Sequence, residues 1–121
     1  MINLAQTSLL LIYAFGLATG QLLFKLSAAR FGQSKSNSLF EKGVSLVLDP
    51  IFILAMVTYF GLSLFWVWLL SQVPISKAYP FVAVNFIIVA VLGVLFFSER
   101  MSMVNWGGLL LIAVGVVLAV R

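Results

Sequence analysis

Four apolar stretches, each about the length of a membrane-spanning helix, alternate along the chain with short polar segments. A helix of about 20 predominantly apolar residues crosses the hydrocarbon core of a bilayer. The pattern therefore predicts an all-α membrane protein, a bundle of four transmembrane helices forming one domain over residues 1–121. The predicted spans cover residues 5–29, 51–71, 75–97 and 103–120.

The connections between the spans predict how the bundle is joined. The one long connection carries Phe40, Val44 and Val47 at helical spacing, which is typical of a short helix in the plane of the membrane interface. Asp49 and Pro50 predict the start of span two, with Asp49 as N-cap and Pro50 at the first helical position. A very short connection follows span two, so we expect spans two and three to form an antiparallel hairpin.

Two polar residues in span one indicate a candidate binding site. Gln21 and Lys25 are four residues apart and therefore share one helical face. A lysine near the end of a span can extend to the lipid headgroups, or it can be a fixed cation at the mouth of a polar cavity. The glutamine one turn deeper on the same face favours the cavity.

Span three begins with prolines and polar residues over 73–86. Pro80 removes a backbone donor and is expected to kink or loosen the helix. Backbone groups freed within a bilayer find partners in protein or in a water-filled cavity, and Asn85, deeper in the span, is expected to face the bundle interior. Trp66 belongs either to this site or to an aromatic belt at the interface. The predicted substrate contacts are Gln21, Lys25, Trp66, Ser76, Tyr79 and Asn85.

Span four carries small residues along one face. Gly108 and Gly115 are seven residues apart, and Ala119 follows four residues later. Small residues let helix backbones approach closely, within one chain or across a dimer. Because two four-helix units inverted to one another would form a transport cavity, we expect a homodimer or a heterodimer with a related chain, in contact through Gly108 and Gly115.

Composition excludes most other classes of protein. The chain is 64% hydrophobic and 8% charged, with a mean hydropathy of +1.22, so its solvent is lipid. It has no Cys, no His and three acidic residues, and we therefore expect no enzyme, no metal site and no cofactor. The net charge of +4 is typical of topology signals and lipid contacts, and no nucleic-acid partner is expected. Basic residues favour a cytoplasmic location for the long connection and for the turn after span three.

Three segments resemble the drug/metabolite transporter superfamily, in its four-helix branch with the small multidrug resistance proteins. They are most similar to the small subunits of the aminoarabinose-phosphoundecaprenol flippase. The resemblance covers nearly the whole chain and implies a four-helix fold in the bacterial inner membrane. The segments are Gly20-Gln21-Leu22 with Lys25; Val73-Pro74 through Ala78-Tyr79-Pro80 to Asn85-Phe86; and Ser98-Glu99 with Trp106-Gly107-Gly108.

One departure from the drug exporters decides between substrates. Those proteins carry a glutamate in span one that exchanges protons for cationic drugs, and Leu17 stands at that position here. Lys25 instead suits an anion such as the phosphate of a lipid-linked sugar. The first hypothesis is therefore a flippase, or flippase subunit, for a phospho-polyprenyl sugar carrier. The alternatives are a small-solute exporter of the small multidrug resistance type and a non-transporting accessory subunit.

Overall fold

A computed structural model describes residues 2–33, 35 and 38–121. The described part of the chain is helical and contains no strand, which confirms the predicted all-α class. Four helical segments within it are long and apolar enough to cross a membrane. The helices are α1 (Leu4–Gly32), α2 (Leu39–Leu48), α3 (Pro50–Leu70), α4 (Ile75–Ala78), a 3₁₀ turn (Tyr79–Phe81), α5 (Val82–Phe97) and α6 (Met103–Val120).

Helix α1 is longer than the predicted span at both ends. A capping box formed by Asn3 and Gln6 satisfies backbone donors at its start. At 1.5 Å per residue, its 29 residues extend about 43 Å, well beyond the roughly 30 Å of a hydrocarbon core. The helix therefore either extends beyond the hydrocarbon core or is tilted within it.

The start of α3 is tied to the end of α1 by one carboxylate. Asp49 is the N-cap of α3, as predicted, and its Oδ1 accepts a hydrogen bond from the Ile51 backbone N–H at 3.0 Å. The same oxygen accepts from Arg30 Nη1 at 3.0 Å. The Asp49 side chain is only 10% exposed, so both partners are needed to balance its desolvation.

Helix α2 exposes the apolar face that the sequence predicts. Phe40 and Val47 are 80% and 59% exposed, and Val44 lies between them on the same surface. A short amphipathic helix buries such a face in the headgroup region of a membrane. Its position beside the Arg30–Asp49 ion pair places this face at the end of the bundle where α1 finishes.

The third span is interrupted where Pro80 predicts a disturbance. A 3₁₀ turn over Tyr79–Phe81 separates α4 from α5, because Pro80 has no N–H to continue the α-helical hydrogen-bond ladder. The prediction that Pro80 loosens the helix is confirmed. Phe81 and Ala78 on either side are buried, so the interruption lies in the packed interior.

Helix α1 is the centre of the bundle and packs against both α3 and α5. Leu10 on α1 and Leu69 at the end of α3 are fully buried together with Phe81. These contacts bring the start of α1 to the end of α3, so α1 and α5 run in the same direction, and α3 runs opposite to both. Helix α6 packs against α5 and the 3₁₀ turn and has no buried residue.

Two glycines on α1 allow the close approach of α3. A Cβ added to Gly16 would lie 2.7 Å from Leu62 Cδ2, and one added to Gly20 would lie 2.6 Å from Tyr59 Cε2. The Tyr59 hydroxyl donates to the Leu17 carbonyl oxygen at 3.4 Å across the same contact. The two glycines are spaced as in GxxxG, a common helix-packing pattern in membranes. The spacing of Gly16 and Gly20 is a local pattern in the sequence.

Candidate functional site

A cavity of about 310 Å³ lies between α1 and α5, near the end at which both helices finish. We call it the α1–α5 cavity. Apolar side chains form most of its wall, and its charged groups are Lys25 and Glu99, whose side chains are 53% and 50% exposed. The cavity is therefore open to its surroundings. Its lining residues are Gln21, Leu22, Phe24, Lys25, Ala28, Val89, Gly93, Phe97 and Glu99.

Lys25 forms an ion pair in this cavity. Its Nζ lies 3.3 Å from Oε1 of Glu99 and 5.9 Å from the centre of the Phe97 ring. Glu99 belongs to the turn after α5, so Lys25 stands at the level where that span ends. Sequence analysis placed a lone cation here, and the structure adds a carboxylate to it. Pairing lowers the free energy of holding either charge close to lipid.

The position of Glu99 depends on two features of the end of α5. Ser98 ends the helix in the left-handed conformation, with φ 53° and ψ 32°, which turns the chain back on itself. The Glu99 backbone N–H then donates to the Gly93 carbonyl oxygen at 3.3 Å. A Cβ on Gly93 would lie 2.7 Å from Glu99 Oε2. Glycine therefore leaves the space in which the carboxylate rests against α5.

Sequence analysis did not assign Glu99 to the site. It lies 74 positions after Lys25, since 99 minus 25 is 74, and no local pattern connects a glutamate in a turn to a lysine in another span. Gln21, by contrast, is predicted to share a face with Lys25, and both line the α1–α5 cavity. The structure therefore brings two of the six predicted contacts together.

Three other predicted contacts lie at the opposite end of the bundle. The Trp66 ring stacks on Tyr13 at 4.8 Å, and the Tyr79 ring meets Trp66 edge-on at 6.3 Å. Ser76 lines a second cavity of about 330 Å³, together with Gln6, Gln72 and Lys77. The structure does not bring Lys25 and Tyr79 to one cavity within the chain, and their assignment as substrate contacts stays a prediction.

The direction of the helices explains this separation. Lys25 is near the end of α1, whereas Tyr79 precedes α5, and the two helices run in the same direction. Tyr79 is 14 positions before Gly93, since 93 minus 79 is 14, which at 1.5 Å per residue is roughly 21 Å along the helix. Within the chain, the two side chains are therefore too far apart for one small group to contact both at the same time.

Asn85 lies between the two ends. The residue is 7% exposed, as predicted for a group that faces the interior, and its Oδ1 has no hydrogen-bond partner in the part of the chain that the structure describes. It stands about 12 Å along the helix from Gly93. A buried acceptor without a partner is unusual in a folded protein, so Asn85 remains a candidate contact for a polar group inside the bundle.

The two glycines predicted to form a dimer contact lie on an open surface. A Cβ added to Gly108 or Gly115 would meet nothing within 4 Å, and both residues are exposed on α6. This surface is available for another helix, and the dimer contact stays a prediction.

Nearly the whole chain matches one family of membrane transporters. The model of the EamA-like transporter family matches residues 3–121. The chain belongs to the EamA-like transporter family. It is a multi-pass membrane protein of that family, with four apolar helices.

Several curated relatives are similar to this EamA-like chain over most of its length. One is the probable 4-amino-4-deoxy-L-arabinose-phosphoundecaprenol flippase subunit ArnE of Hamiltonella defensa, 34% identical over 110 residues, which are 91% of this chain and 91% of the relative. Proteins of the same description from Proteus mirabilis and Aeromonas salmonicida are 33% and 31% identical over 110 residues, covering 91% of this chain and 92% of each relative. No solved structure matches the chain.

Proposed function

We propose that the protein is a subunit of a flippase that moves a lipid-linked sugar phosphate across the bacterial inner membrane. The family and the flippase subunits to which the chain is similar support a transport role. The whole chain then acts as one four-helix transmembrane domain. Its substrate is a phospho-polyprenyl sugar of the kind named in the description of those relatives, and its role is transport and not catalysis.

One observation carries this proposal: Lys25 lines a cavity that is open at the level where the spans end. A phosphate attached to a polyprenyl chain lies at the same level, at the boundary between headgroups and hydrocarbon. The Lys25 ammonium has three N–H donors, and charge-assisted hydrogen bonds to phosphate are among the stronger ones in proteins. The headgroup enters the cavity while the polyprenyl chain stays in lipid.

Glu99 changes how Lys25 binds phosphate. The carboxylate occupies one side of the ammonium at 3.3 Å, and half of the Lys25 side chain remains exposed. A phosphate approaches that exposed side and shares the ammonium with Glu99.

The remaining predicted contacts lie along the path that a crossing headgroup takes. Asn85 is midway between the two ends, and Ser76, Trp66 and Tyr79 are at the far end. In this proposal Gln21 and Lys25 bind the headgroup on one side of the membrane. Asn85 and then the far-end residues contact the polar groups of the headgroup as it moves to the other side.

A second four-helix chain completes the transporter in this proposal. The outward face of α6 with Gly108 and Gly115 is open, and the relatives are described as subunits. The partner is either a second copy or a related chain. If α6 forms the contact, Gly115→Leu lowers the yield of cross-linked dimer in membranes, whereas Gly61→Leu on the open surface of α3 does not.

Binding of undecaprenyl phosphate to the purified chain in lipid nanodiscs, measured by native mass spectrometry, tests the proposed function. We expect Lys25→Gln to weaken binding at least tenfold, because a charge-assisted contact to phosphate is lost. Lys42→Gln is the matched control: it removes the same charge from α2 at the same end of the bundle, outside the cavity. Equal binding by wild type and Lys25→Gln would reject the site.

Transport assays on the protein reconstituted into vesicles separate the alternatives. A small-solute exporter of the multidrug type takes up guanidinium-type cations with a proton gradient, and Leu17 offers no carboxylate for that exchange. Proton-coupled uptake of such cations by reconstituted vesicles would favour the exporter. A stoichiometric partner that co-purifies with the chain, together with a chain that does not move phospho-polyprenyl sugars on its own, would favour the accessory role.

A further inference from the structure

A second polar cavity, which we call the Lys77 cavity, lies at the end of the bundle opposite to Lys25. Its volume is about 330 Å³, and it is formed by the start of α1, the turn after α3 and the short helix α4. Gln6 lines this cavity, and Gln21, 15 positions later since 21 minus 6 is 15, lines the α1–α5 cavity. At 1.5 Å per residue the two glutamines are roughly 22 Å apart along α1, so the two cavities lie near opposite faces of the membrane. The residues that line the Lys77 cavity are Ile2, Gln6, Gln72, Pro74, Ser76 and Lys77.

Lys77 has no acidic side chain beside it. The chain has three acidic residues, and Glu41, Asp49 and Glu99 all belong to the end at which α1 finishes. Lys77 is nevertheless partly buried, whereas Lys25, which is paired with Glu99, is exposed. Sequestering an ammonium without a partner is unfavourable, and a lysine that only extends to the headgroups keeps its charged end exposed. The Lys77 cavity therefore favours an anion supplied from outside the chain.

The neutral polar groups of the Lys77 cavity can donate hydrogen bonds to such an anion. Gln6 Oε1 accepts from the Asn3 backbone N–H at 3.2 Å, and Gln6 Nε2 donates to the Gln72 carbonyl oxygen at 3.4 Å. These two contacts orient the Gln6 amide and leave its second Nε2 hydrogen for a ligand. In the part of the chain that the structure describes, the Ser76 hydroxyl and the Gln72 side-chain amide have no hydrogen-bond partner. Both are therefore available to a ligand.

The backbone on both sides of Lys77 is anchored. The Pro74 carbonyl oxygen accepts from the backbone N–H groups of Lys77 and Ala78, each at 2.9 Å. Ala78 and Val73 are buried in the apolar cluster at this end of the bundle. A site on an anchored segment loses little further freedom when a ligand binds.

We propose that the Lys77 cavity binds the phosphate of a membrane lipid. Lys77 supplies the cation, since its ammonium has three N–H donors and charge-assisted hydrogen bonds to phosphate are strong. The neutral donors are Gln6, Gln72 and Ser76. The volume is at the lower end of the roughly 300–1,000 Å³ of small-molecule pockets, so the phosphate enters while the lipid chains stay in the bilayer. The inference goes beyond the proposed function, which assigns no cation to this end; a headgroup that has passed Asn85 would meet Lys77.

Acylation of the lysine amines, followed residue by residue by peptide mass spectrometry, tests the proposal on the full-length chain in dodecyl maltoside micelles. The probes are undecaprenyl phosphate, phosphatidylglycerol, undecaprenol, which has no phosphate, and inorganic phosphate. An ammonium in contact with phosphate stays charged and does not react. At about ten times the Kd roughly one site in eleven is free, so we expect undecaprenyl phosphate to slow acylation of Lys77 roughly tenfold. Lys42, which lines neither cavity, is the internal reference.

Matched variants separate a built site from general attraction to an ammonium. Ser76→Ala removes one donor from the cavity and is expected to raise the lipid concentration needed to protect Lys77 by about threefold to tenfold. Ser71→Ala makes the same change in the neighbouring turn, outside the cavity lining, and is expected to leave that concentration unchanged. Gln72→Ala takes the place of Ser76→Ala if thermal melting shows that the latter is unfolded.

Several results would overturn the inference. Acylation of Lys77 that neither phosphate lipid slows, or that undecaprenol slows equally, would overturn it. Protection by inorganic phosphate without protection by the lipids would overturn the assignment to a lipid. Protection that is the same in wild type, Ser76→Ala and Gln72→Ala would show that the cavity does not bind the phosphate. Protection by phosphatidylglycerol as strong as that by undecaprenyl phosphate supports the site and shows that a phosphodiester suffices, whereas protection by undecaprenyl phosphate alone supports it and identifies the polyprenyl lipid as the ligand.

The same measurement distinguishes this inference from the proposed function, because Lys25 and Lys77 are read in separate peptides. Protection of Lys25 without protection of Lys77 leaves the proposed function standing and overturns the second site. Protection of Lys77 that persists in Lys25→Gln supports the second site. In native mass spectrometry Lys77→Gln removes binding at this cavity, so the loss expected for Lys25→Gln is measured in that background as well.

Discussion

The close contact of α1 and α3 at Gly20 gives the sharpest prediction for stability. A Cβ at Gly20 would lie 2.6 Å from Tyr59 Cε2 and 2.8 Å from Cζ. Favourable contacts between carbon atoms begin near 3.5 Å, so in Gly20→Ala the ring or the helix must move by about 1 Å. The Tyr59 ring stacks on Phe24 at 4.9 Å, and its hydroxyl donates to Leu17. It therefore cannot turn aside without losing these contacts.

We expect Gly20→Ala to lower the free energy of unfolding by about 1–3 kcal/mol, the usual range for overpacking a tight contact. Gly16→Ala is the informative comparison. Its Cβ would meet a terminal methyl of Leu62 at 2.7 Å, with Leu62 Cγ at 3.6 Å, and a leucine methyl can rotate away. We expect Gly16→Ala to lower the free energy of unfolding by less than about 1 kcal/mol, because a single rotamer change of Leu62 relieves the close contact.

Unfolding of each variant by sodium dodecyl sulfate in mixed micelles, followed by circular dichroism, measures these differences. Gly61→Ala on α3 sets the baseline, because its Cβ meets nothing within 4 Å and alanine favours a helix by up to about 1 kcal/mol over glycine. The packing argument is refuted if Gly20→Ala is as stable as Gly61→Ala. It is also refuted if Gly16→Ala and Gly20→Ala lower the free energy of unfolding by the same amount.

Two further substitutions test other parts of the structure. Asn85→Leu is expected to raise the free energy of unfolding by about 1–3 kcal/mol, because a buried acceptor without a partner is removed, while flipping of the lipid-linked sugar by the reconstituted protein with its partner decreases. Unchanged flipping would remove Asn85 from the proposed path. Asp49→Ala is expected to lower the stability by about 1–2 kcal/mol, because the N-cap of α3 and the Arg30 ion pair are lost together. Asp49→Asn keeps the N-cap hydrogen bond, so it should be destabilised less than Asp49→Ala in the same detergent titration. Equal destabilisation of the two variants would show that the cap contributes little to stability.

Features of the protein that depend on neighbouring residues can be predicted from the amino-acid sequence alone. Hydrophobicity over some 20 residues selects a transmembrane helix because unpaired backbone groups cannot remain in lipid. Asp49 caps α3 and Pro80 interrupts the third span because both act within one helical turn. Gln21 and Lys25 share a cavity for the same reason, since the helix alone places them on one face.

Contacts between residues far apart in the sequence depend on how the helices pack in the folded bundle. Lys25 and Glu99 form an ion pair because α1 and α5 run in the same direction and the chain turns back at Ser98, whereas Tyr79 is carried to the other end by that same direction. The predicted site therefore divides into two ends, with Asn85 between them. Apolar stretches specify that helices cross the membrane, but most of their side chains face lipid equally well in several arrangements. The order and direction of packing follow from contacts between helices, such as Gly20 against α3 and Gly93 against Glu99, which exist only once the bundle has formed.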